Sequence, residues 1–160
     1  MPASTVKKAT TVIGWREEVG LPELGLPIVR AKIDTGARTS ALHATNVERF
    51  EQNGAVWVSF CVPDPDGAQG HVCQAALIEE RSIKNTSGIS ELRPIISTKL
   101  MLARRHWHIE LSLADRFNMG FDLILGRTAI RGHRILVNPG GSNLAGKPAT
   151  LPFKAPEKTA

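Results

Sequence analysis

A single carboxylate, Asp34, occupies the turn of this sequence that is best suited to chemistry. The apolar run IVRAKI leads into it, and Thr35 and Gly36 then turn the chain back. Because Gly36 has no Cβ, backbone can approach closely, and nearby N–H groups and the Thr35 hydroxyl can hold the carboxylate in one orientation. Aspartic hydrolases use such a group: a rigid carboxylate shares a proton with a second one and activates water against a peptide carbonyl. The bare tripeptide is also ordinary β-turn composition, expected by chance in roughly 3% of chains this long.

A second segment of interest is FDLILGRTAIRG, at residues 121–132. An apolar strand is predicted to end at Gly126, and Arg127 begins the one helix that we predict, over about RTAIRG.

The other elements are short strands separated by turns. In HWHIELSL, the residues Trp107, Ile109, Leu111 and Leu113 alternate with polar ones, which is typical of a half-buried strand. β-branched content or alternation predicts eight strands, in the segments TTVIGW, IVRAKID, AVWVSFCV, HVCQAALI, LRPIISTKLML, HWHIELSL, FDLILG and RILV. Turns are predicted at VGLPELGLP, EQNG, PDPDGAQG and NTSG. Short strands at this spacing indicate an all-β barrel or sandwich.

Length and composition indicate one ordinary globular domain. The 160 residues suit a single core, 42% of them are apolar, and no apolar run approaches the ~20 residues that a membrane span needs. The N-terminus has no apolar secretion signal, so we expect a cytoplasmic protein with no membrane partner. In a reducing cytosol Cys61 and Cys73 are expected as buried free thiols, although their spacing would also allow a disulfide between neighbouring strands.

Charge is distributed unevenly along the chain. Residues 1–80 contain 7 basic and 10 acidic side chains (net −3), whereas residues 81–160 contain 13 basic and 5 acidic ones (net +8). The basic half favours an anionic partner such as an acidic peptide, a phosphate or nucleic acid. Nucleic acid is less favoured, because the sequence has no Tyr, only 5 Phe and 3 Trp, and no interleaving of aromatic with basic residues.

Neither the histidines nor the glycines near the C-terminus support a metal or nucleotide site. His106 and His108 share one face of a strand, but no nearby pattern supplies a third metal ligand. GSNLAGKP almost spells a phosphate-binding loop, yet Pro148 stands where a hydroxyl for Mg²⁺ is required. We therefore expect no metal and no cofactor. The composition of residues 141–160 predicts an extended or disordered tail after a domain of residues 1–140.

Taken together, these segments resemble one lobe of the retropepsin-like aspartic proteases. The resemblance is closer to a bacterial family described as RimK-associated, RimB-like and also labelled "ATP-dependent zinc protease", and it covers about residues 10–140. It is carried by IDTGARTSALHA at 33–44, RPI at 93–95, WHIEL at 107–111 and LGR at 125–127. The first motif is the most specific, because twelve residues match in order.

The resemblance implies a retropepsin-like (acid protease) closed barrel, all-β, with one lobe per chain and one short helix after Gly126. Because the chain has one DTG-type motif, it also implies a homodimeric aspartic-type peptidase in which each subunit supplies Asp34. Asp34, Thr35 and Gly36 would be the catalytic residues, with Thr35 hydroxyls cross-linking the pair. The predicted substrate-binding residues are Arg38, Thr39, Ser40, His43, Arg93 and Arg127.

The RimK association implies a substrate and a partner. RimK-type ligases add glutamates to the C-terminus of a ribosomal protein, so the implied role is to trim glutamate tails from such a substrate, with a RimK-type ligase as a partner. The alternative hypothesis is a non-catalytic module on the same fold that binds an acidic peptide tail or nucleic acid.

One departure from the retropepsins concerns charge beside the site. Retropepsins carry an acidic residue just after DTGA that pairs with the arginine of the later Gly-Arg, whereas this chain has Arg38. Arg127 therefore lacks that acidic partner, and Arg38 suits a negatively charged substrate. A flap over the site is predicted at residues 79–94 or at residues 63–70, and we prefer the first, which lies between two strands.

Overall fold

The computed structural model describes residues 9–63, 70–85, 87–115 and 120–149, and these form an all-β protein. The strands are β1 Thr11–Ile13, β2 Arg16–Leu21, β3 Leu26–Asp34, β4 Ser40–His43, β5 Thr45–Gln52, β6 Ala55–Val62, β7 His71–Lys84, β8 Ser90–Leu102, β9 Arg105–Ala114, β10 Leu123–Gly126 and β11 Ile135–Val137. A 3-10 turn spans Pro22–Leu24, and the helix α1 spans Arg127–Ile130. No helix in the described ranges has the length and apolar character needed to cross a membrane.

Most of the strands belong to one sheet, in the order β2-β3-β10-β4-β9-β8-β7-β6-β5. A further pairing, between Gly20 of β2 and Met101 of β8, closes the strands from β2 to β8 into a ring. Beyond the ring, β7, β6 and β5 continue as an antiparallel ribbon. The strands β1 and β11 form a separate parallel pair.

Alternating burial explains why the ring strands pack as they do. Along β3, Val29, Ala31 and Ile33 are buried while Arg30 and Lys32 are exposed, which is the period-two pattern of a strand with one core face. The alternation predicted for β9 is confirmed at Ile109, Leu111 and Leu113, which are buried. These strands therefore direct their apolar side chains into one core.

The eight strands predicted from sequence are present, as β1, β3 and β6 to β11, and α1 lies within the predicted helix. Three strands were not predicted: β2, β4 and β5. The strand β5 (TNVERFEQ) has no fully buried residue because it lies at the free end of the ribbon, so its composition is that of an exposed segment. The predicted turn VGLPELGLP is narrower than expected, since only residues 22–25 lie outside the strands.

The two cysteines are free, as predicted, but only Cys73 is buried, since Cys61 is half-buried. In the β6–β7 register Cys73 is paired with Phe60, whereas Cys61 is paired with Val72. Adjacent residues of a strand point to opposite faces, so the two sulfur atoms project from opposite sides of the ribbon. Burial raises the pKa of the Cys73 thiol to about 11, and the nearby Cys61 adds to this shift.

The chain after β11 is held against the body of the protein by a buried carboxylate. Glu17 is 2% exposed and accepts hydrogen bonds from the backbone N–H groups of Gly14 (2.6 Å), Leu144 (2.8 Å) and Ala145 (3.0 Å). Ala149 N–H also donates to the Ala103 carbonyl oxygen at 2.9 Å. The predicted tail of residues 141–160 stays a prediction, because residues 150–160 lie outside the described part of the chain.

Candidate active site

Asp34 is the last residue of β3, at the point where the strand leaves the ring. In the parallel pairing of β3 with β10, Asp34 lies opposite Gly126. The half-buried carboxylate accepts a hydrogen bond from Gly36 N–H at 3.0 Å, and Ala37 N–H donates to the Asp34 carbonyl oxygen at 3.1 Å. Its orientation is therefore set by an N–H group of the tight turn that follows it, as the sequence predicts. The Thr35 hydroxyl, which was also expected to hold the carboxylate, makes no hydrogen bond to it in the described structure.

Two glycines allow this turn to form. A Cβ on Gly36 would lie 3.3 Å from Asp34 Oδ1, so a side chain there would crowd the carboxylate. A Cβ on Gly126 would lie 2.8 Å from the Ala37 carbonyl oxygen and 3.0 Å from that of Arg38. Because these neighbours are backbone atoms, they cannot move aside as a flexible side chain can. The close approach of β10 to the Asp34 turn thus requires glycine at position 126.

The residues after Gly126 hold the turn through its carbonyl oxygens. The backbone N–H of Arg127 donates to Ala37 at 2.8 Å, and the Thr128 hydroxyl donates to Arg38 at 2.6 Å. Arg127 Nη1 also donates to the Gly36 carbonyl oxygen at 3.2 Å. The sequence provides no acidic partner for Arg127, and the structure shows a backbone carbonyl in that place.

Ser40 supports the same turn from inside the protein. It is fully buried, and its Oγ accepts the N–H of Gly126 at 3.0 Å. Its carbonyl oxygen accepts a hydrogen bond from the Ser112 hydroxyl at 3.0 Å, which links β4 to β9. Ser40 therefore ties the Asp34 turn to two strands of the ring.

A groove of about 710 Å³ opens beside Asp34. We name its two sides by their residues. The loop side consists of residues 34 and 36–39 with Ala41, Ile124 and Thr128, and the hairpin side consists of residues 81–85 with Arg93. Glu110, from β9, also lines the groove. The hairpin side belongs to the β7–β8 hairpin, which contains the preferred flap candidate, residues 79–94. The other flap candidate, residues 63–70, lies mainly outside the described residues, which omit 64–69.

The arginines of the hairpin side are already paired with carboxylates. Arg81 Nε donates to Glu79 at 2.6 Å, and its Nη2 donates to Glu110 at 3.1 Å. The bond to Glu79 raises the pKa of Arg81, burial opposes that rise to a smaller extent, and the contact with Glu110 adds to it. Arg93 is almost fully buried, at 3% exposure, and its Nε and Nη2 both donate to Glu91 Oε2.

Two further cations in the groove have no such partner. Within the described ranges, the side chains of Arg38 and Lys84 make no ion pair or hydrogen bond, and both line the groove. Arg38, Arg81, Lys84 and Arg93 thus face two lining carboxylates, Asp34 and Glu110. Because Arg81 and Arg93 are already paired with carboxylates, the positive charge that remains unpaired in the described part of the groove belongs to Arg38 and Lys84.

The predicted site residues are divided between groove and support. Arg38, Thr39 and Arg93 line the groove together with Asp34 and Gly36, whereas Ser40, His43 and Arg127 are not among its lining residues. The N–H of His43 donates to the Asp122 carbonyl oxygen, and its Nδ1 lies 3.9 Å from Asp115 Oδ1. The substrate contacts of these three stay predictions, and the hydrogen bonds of Ser40 and Arg127 favour a role in holding the turn.

Sequence reasoning did not select Arg81, Lys84, Thr128 and Glu110 as site residues. The signal for Glu110 was available, because it alternates with the buried Ile109 and Leu111 of β9 and must face outward. No local pattern in the sequence could have indicated Thr128, because its hydroxyl contacts the Arg38 carbonyl oxygen, 90 positions away.

The described residues offer little support for a metal or a nucleotide. Among them no three His, Cys, Asp or Glu side chains converge as a metal site would require. His108 Nε2 instead lies 3.2 Å from Glu23 Oε1. In the segment that resembles a phosphate-binding loop, the N–H groups of Leu144 and Ala145 are directed at the Glu17 carboxylate. An internal anion therefore takes the place that a phosphate would need.

Chemically, one chain supplies a fixed carboxylate beside an electropositive groove but not a carboxylate pair. The other acidic side chain that lines the groove in the described structure, Glu110, is paired with Arg81. A shared-proton mechanism needs a second carboxylate close to Asp34, which a second copy of the same chain can supply about a two-fold axis.

Comparisons with known proteins agree with this geometry. Residues 12–148 match the family described as "RimB-like: Retropepsin-like aspartic endopeptidase RimB". The chain is 42% identical over 137 residues to a probable alpha-L-glutamate ligase of Parasynechococcus marenigrum, and 43% identical over 133 residues to one of Desulfotalea psychrophila. These matches cover 84% and 82% of this chain but only 29% and 28% of the relatives, so the chain spans less than a third of their length.

A solved structure shows the same fold. It is that of a Legionella pneumophila protein of unknown function, with a TM-score of 0.72 and 26% sequence identity. The superposition covers 86% of this chain and 99% of the other. With the family match spanning residues 12–148, this chain belongs to the RimB-like family of retropepsin-like aspartic endopeptidases.

Proposed function

We propose that the protein is an aspartic-type peptidase that acts as a homodimer on acidic peptide tails. The observation that carries the proposal is the position of Asp34. It stands at the end of β3, its carboxylate is oriented by Gly36 N–H, and it lines a groove of about 710 Å³, a volume within the range of ligand-binding clefts. The family match supports the class of reaction.

In the proposed mechanism the two copies of Asp34 have opposite protonation states. Two carboxylates held close together share one proton, because both cannot be charged at once. The ionised copy takes a proton from a water molecule while the water oxygen attacks the peptide carbonyl carbon. The protonated copy donates a hydrogen bond to the carbonyl oxygen. The tetrahedral intermediate then breaks its C–N bond, and the leaving nitrogen receives a proton from the carboxylate that took one from water.

Thr35 has the properties that this arrangement needs. It is exposed, does not line the groove, and its hydroxyl has no hydrogen-bond partner within the described residues. A hydroxyl at the base of Asp34 can therefore donate to a second copy of the chain without breaking a bond within its own. This supports the homodimer, in which Thr35 hydroxyls would link the two Asp34 turns.

The charge of the groove supports an acidic substrate. Arg38 and Lys84 are unpaired cations beside Asp34 in the described structure, and Arg81 and Arg93 lie on the hairpin side. Arginine can bind a carboxylate with two parallel hydrogen bonds, so a run of glutamates would find a partner for successive side chains. A neutral peptide would leave Arg38 and Lys84 without an anionic ligand.

The relatives suggest where such a substrate originates. Proteins named probable alpha-L-glutamate ligase contain a region like this chain joined to more than twice its length of further sequence. We propose that the protein removes glutamates that a RimK-type ligase adds to a ribosomal protein, and that it works with that ligase in the cytoplasm. A ligase and a peptidase of opposite action would then set the length of the tail.

A second candidate function is binding without cleavage. The same cations would bind an acidic tail even if no carboxylate pair formed. The two candidates differ in what Asp34 does, because a binding module would not need an ionisable group between its cations.

The test uses two synthetic peptides of equal length, one ending in a run of glutamates and one ending in the matched glutamines. Purified protein is incubated with each, and the products are weighed by mass spectrometry. We expect cleavage of the glutamyl peptide only, and its loss in Asp34→Asn with peptide binding retained. Cleavage that survives in Asp34→Asn would contradict the peptidase mechanism, and binding without any cleavage by the unmodified protein would support the binding module.

A further inference from the structure

Arg81 and Arg93 face each other across the β7–β8 hairpin. They are direct cross-strand partners, and both line the groove. Like charges in that position destabilise strand pairing, so each needs an anion beside it. The carboxylate two residues earlier on the same strand provides one in each case: Glu79 for Arg81, and Glu91 for Arg93.

Arg81 has an additional partner that its own hairpin does not supply. Its Nη2 donates to Glu110 Oε1 at 3.1 Å, and Glu110 comes from β9. The side chain of Glu110 is 48% exposed and lines the groove, whereas that of Arg81 is 32% exposed. The Glu110 carboxylate is therefore open to exchange with another carboxylate that enters the groove.

Arg93 has donor capacity left in the same place. Its side chain is only 4% exposed, yet it lines the groove. Nε and Nη2 are used by Glu91, and Nη1 donates to no acceptor within the described residues. A buried guanidinium with one unused nitrogen beside an exposed ion pair is suited to bind one oxygen of a ligand carboxylate.

We propose that Arg81 and Arg93 form a subsite for the side-chain carboxylate of an acidic peptide, and that Glu110 occupies the position of that carboxylate on Arg81. This inference rests on the acidic substrate of the proposed function and assigns it to particular residues. A glutamate of the peptide replaces Glu110 on the same guanidinium, so Arg81 keeps a carboxylate partner throughout. A glutamine gains nothing by displacing Glu110, because it would exchange a charged partner for a neutral one. Glu110 is thereby a competitor for Arg81 that a charged side chain of the peptide displaces and a neutral one does not.

The test measures peptide binding in the Asp34→Asn protein, so that the bound peptide is not cut. Dissociation constants are measured by calorimetry for the glutamyl peptide and the matched glutaminyl peptide. Two substitutions are added to this background, separately and together: Glu110→Gln and Arg81→Met. The control Glu48→Gln removes the same charge from an exposed residue of β5 that lies outside the groove and makes no ion pair within the described residues.

We expect Glu110→Gln to tighten binding of the glutamyl peptide by about two- to fivefold, the size of effect that partly exposed ion pairs produce. Binding of the glutaminyl peptide should not change, and Glu48→Gln should leave both constants unchanged. Arg81→Met should weaken the glutamyl peptide by a similar factor and reduce the gain from Glu110→Gln. Thermal denaturation of each variant checks that the fold is retained.

Several results would overturn the subsite. Equal weakening of both peptides by Glu110→Gln would show that Glu110 only braces the hairpin, and unchanged glutamyl binding in Arg81→Met would remove its central residue. Absence of glutamyl binding in the Asp34→Asn protein would also contradict it. Because every measurement in this test is of binding, it tests the subsite independently of hydrolysis. A protein that binds glutamate preferentially through these residues but never cleaves a peptide would refute only the peptidase proposal.

Discussion

The two sides of the groove are held in different ways. The loop side is fixed through backbone groups: Gly126, Arg127 and Thr128 contact the turn that follows Asp34, and Ser40 holds Gly126 from within the core. On the hairpin side, long charged side chains are held by ion pairs. The side chains of Arg81, Glu79 and Glu110, which form two such pairs, are 32% to 48% exposed.

This difference separates two requirements of a peptidase. A catalytic carboxylate must be kept within a fraction of an ångström of its working position, which short backbone contacts between packed strands achieve. Substrate selection needs groups that exchange one partner for another, which exposed ion pairs of low strength allow. The hairpin tip is also exposed, with Ile89 and Leu92 at 65% and 66%, so its apolar side chains are available to a peptide or a second subunit.

The largest expected effect comes from one methyl group on the loop side. Gly126→Ala places a Cβ within 3.0 Å of three backbone atoms of the Asp34 turn, so the turn must shift. We expect kcat on the glutamyl peptide to fall about 100-fold or more, because a displacement near 1 Å at the reacting group has that effect. The unfolding free energy should fall by about 1–3 kcal/mol.

Its matched control is Gly88→Ala at the hairpin tip. Gly88 has φ +79° and open space around its Cα, so alanine adds only backbone strain, about 1 kcal/mol. Steady-state kinetics and thermal denaturation measure both variants. Equal losses of kcat in Gly126→Ala and Gly88→Ala would contradict the claim that the loop side is held more rigidly than the hairpin side.

A second pair of variants compares serines. Ser40→Ala removes the acceptor of the buried Gly126 N–H, which should lower the unfolding free energy by about 1–3 kcal/mol. Ser82→Ala changes an exposed groove residue without a hydrogen-bond partner in the described structure, and we expect a change within about 0.5 kcal/mol. Denaturant titration gives both values. A Ser82 effect as large as that of Ser40 would contradict the assignment of rigidity to the loop side.

The smallest effects separate rate from affinity. Arg127→Met removes a hydrogen bond to the Gly36 carbonyl oxygen, so kcat should fall about fivefold with KM unchanged.

Lys84→Met removes an unpaired cation from the groove, so KM for the glutamyl peptide should rise about two- to fivefold with kcat unchanged. The KM effect should disappear in high salt, where exposed charges are screened. A change in kcat alone for Lys84→Met would mean that it acts on the catalytic group.

The fold was largely predictable because its strands carry local signals. Alternation over Trp107 to Leu113 predicts β9, and the apolar run before Asp34 predicts β3, and both are present. The strand β5 has no such signal, since its contacts lie along one edge of the ribbon and leave its side chains exposed. The burial of Glu17 on β2 was equally unpredictable, because two of the three N–H groups that bind its carboxylate come from residues 127 and 128 positions away.

The site was predictable where its chemistry is contained in one motif. Asp34, Thr35 and Gly36 are adjacent in sequence, and the turn between them orients the carboxylate by itself. The positions of Ser40 and Arg127 relative to the groove depend on how β10 crosses the turn, which no local pattern encodes. Sequence therefore pointed to the carboxylate and to two of the four cations that line the groove, Arg38 and Arg93, while the division into groove and support required the fold.

The central claim is that one Asp34 per chain becomes two in a shared site, and subunit mixing tests it most directly. A fixed amount of active protein is co-refolded with increasing Asp34→Asn, and with Glu48→Gln as an active control, before its activity on the glutamyl peptide is measured. If both copies of Asp34 are required, the share of dimers with two active copies follows the square of the active fraction. The total activity of the fixed amount of active protein then falls in proportion to that fraction, and a large excess of Asp34→Asn abolishes it. Activity that stays proportional to the amount of active protein, whatever the excess of Asp34→Asn, would show that each chain works alone and would contradict the account.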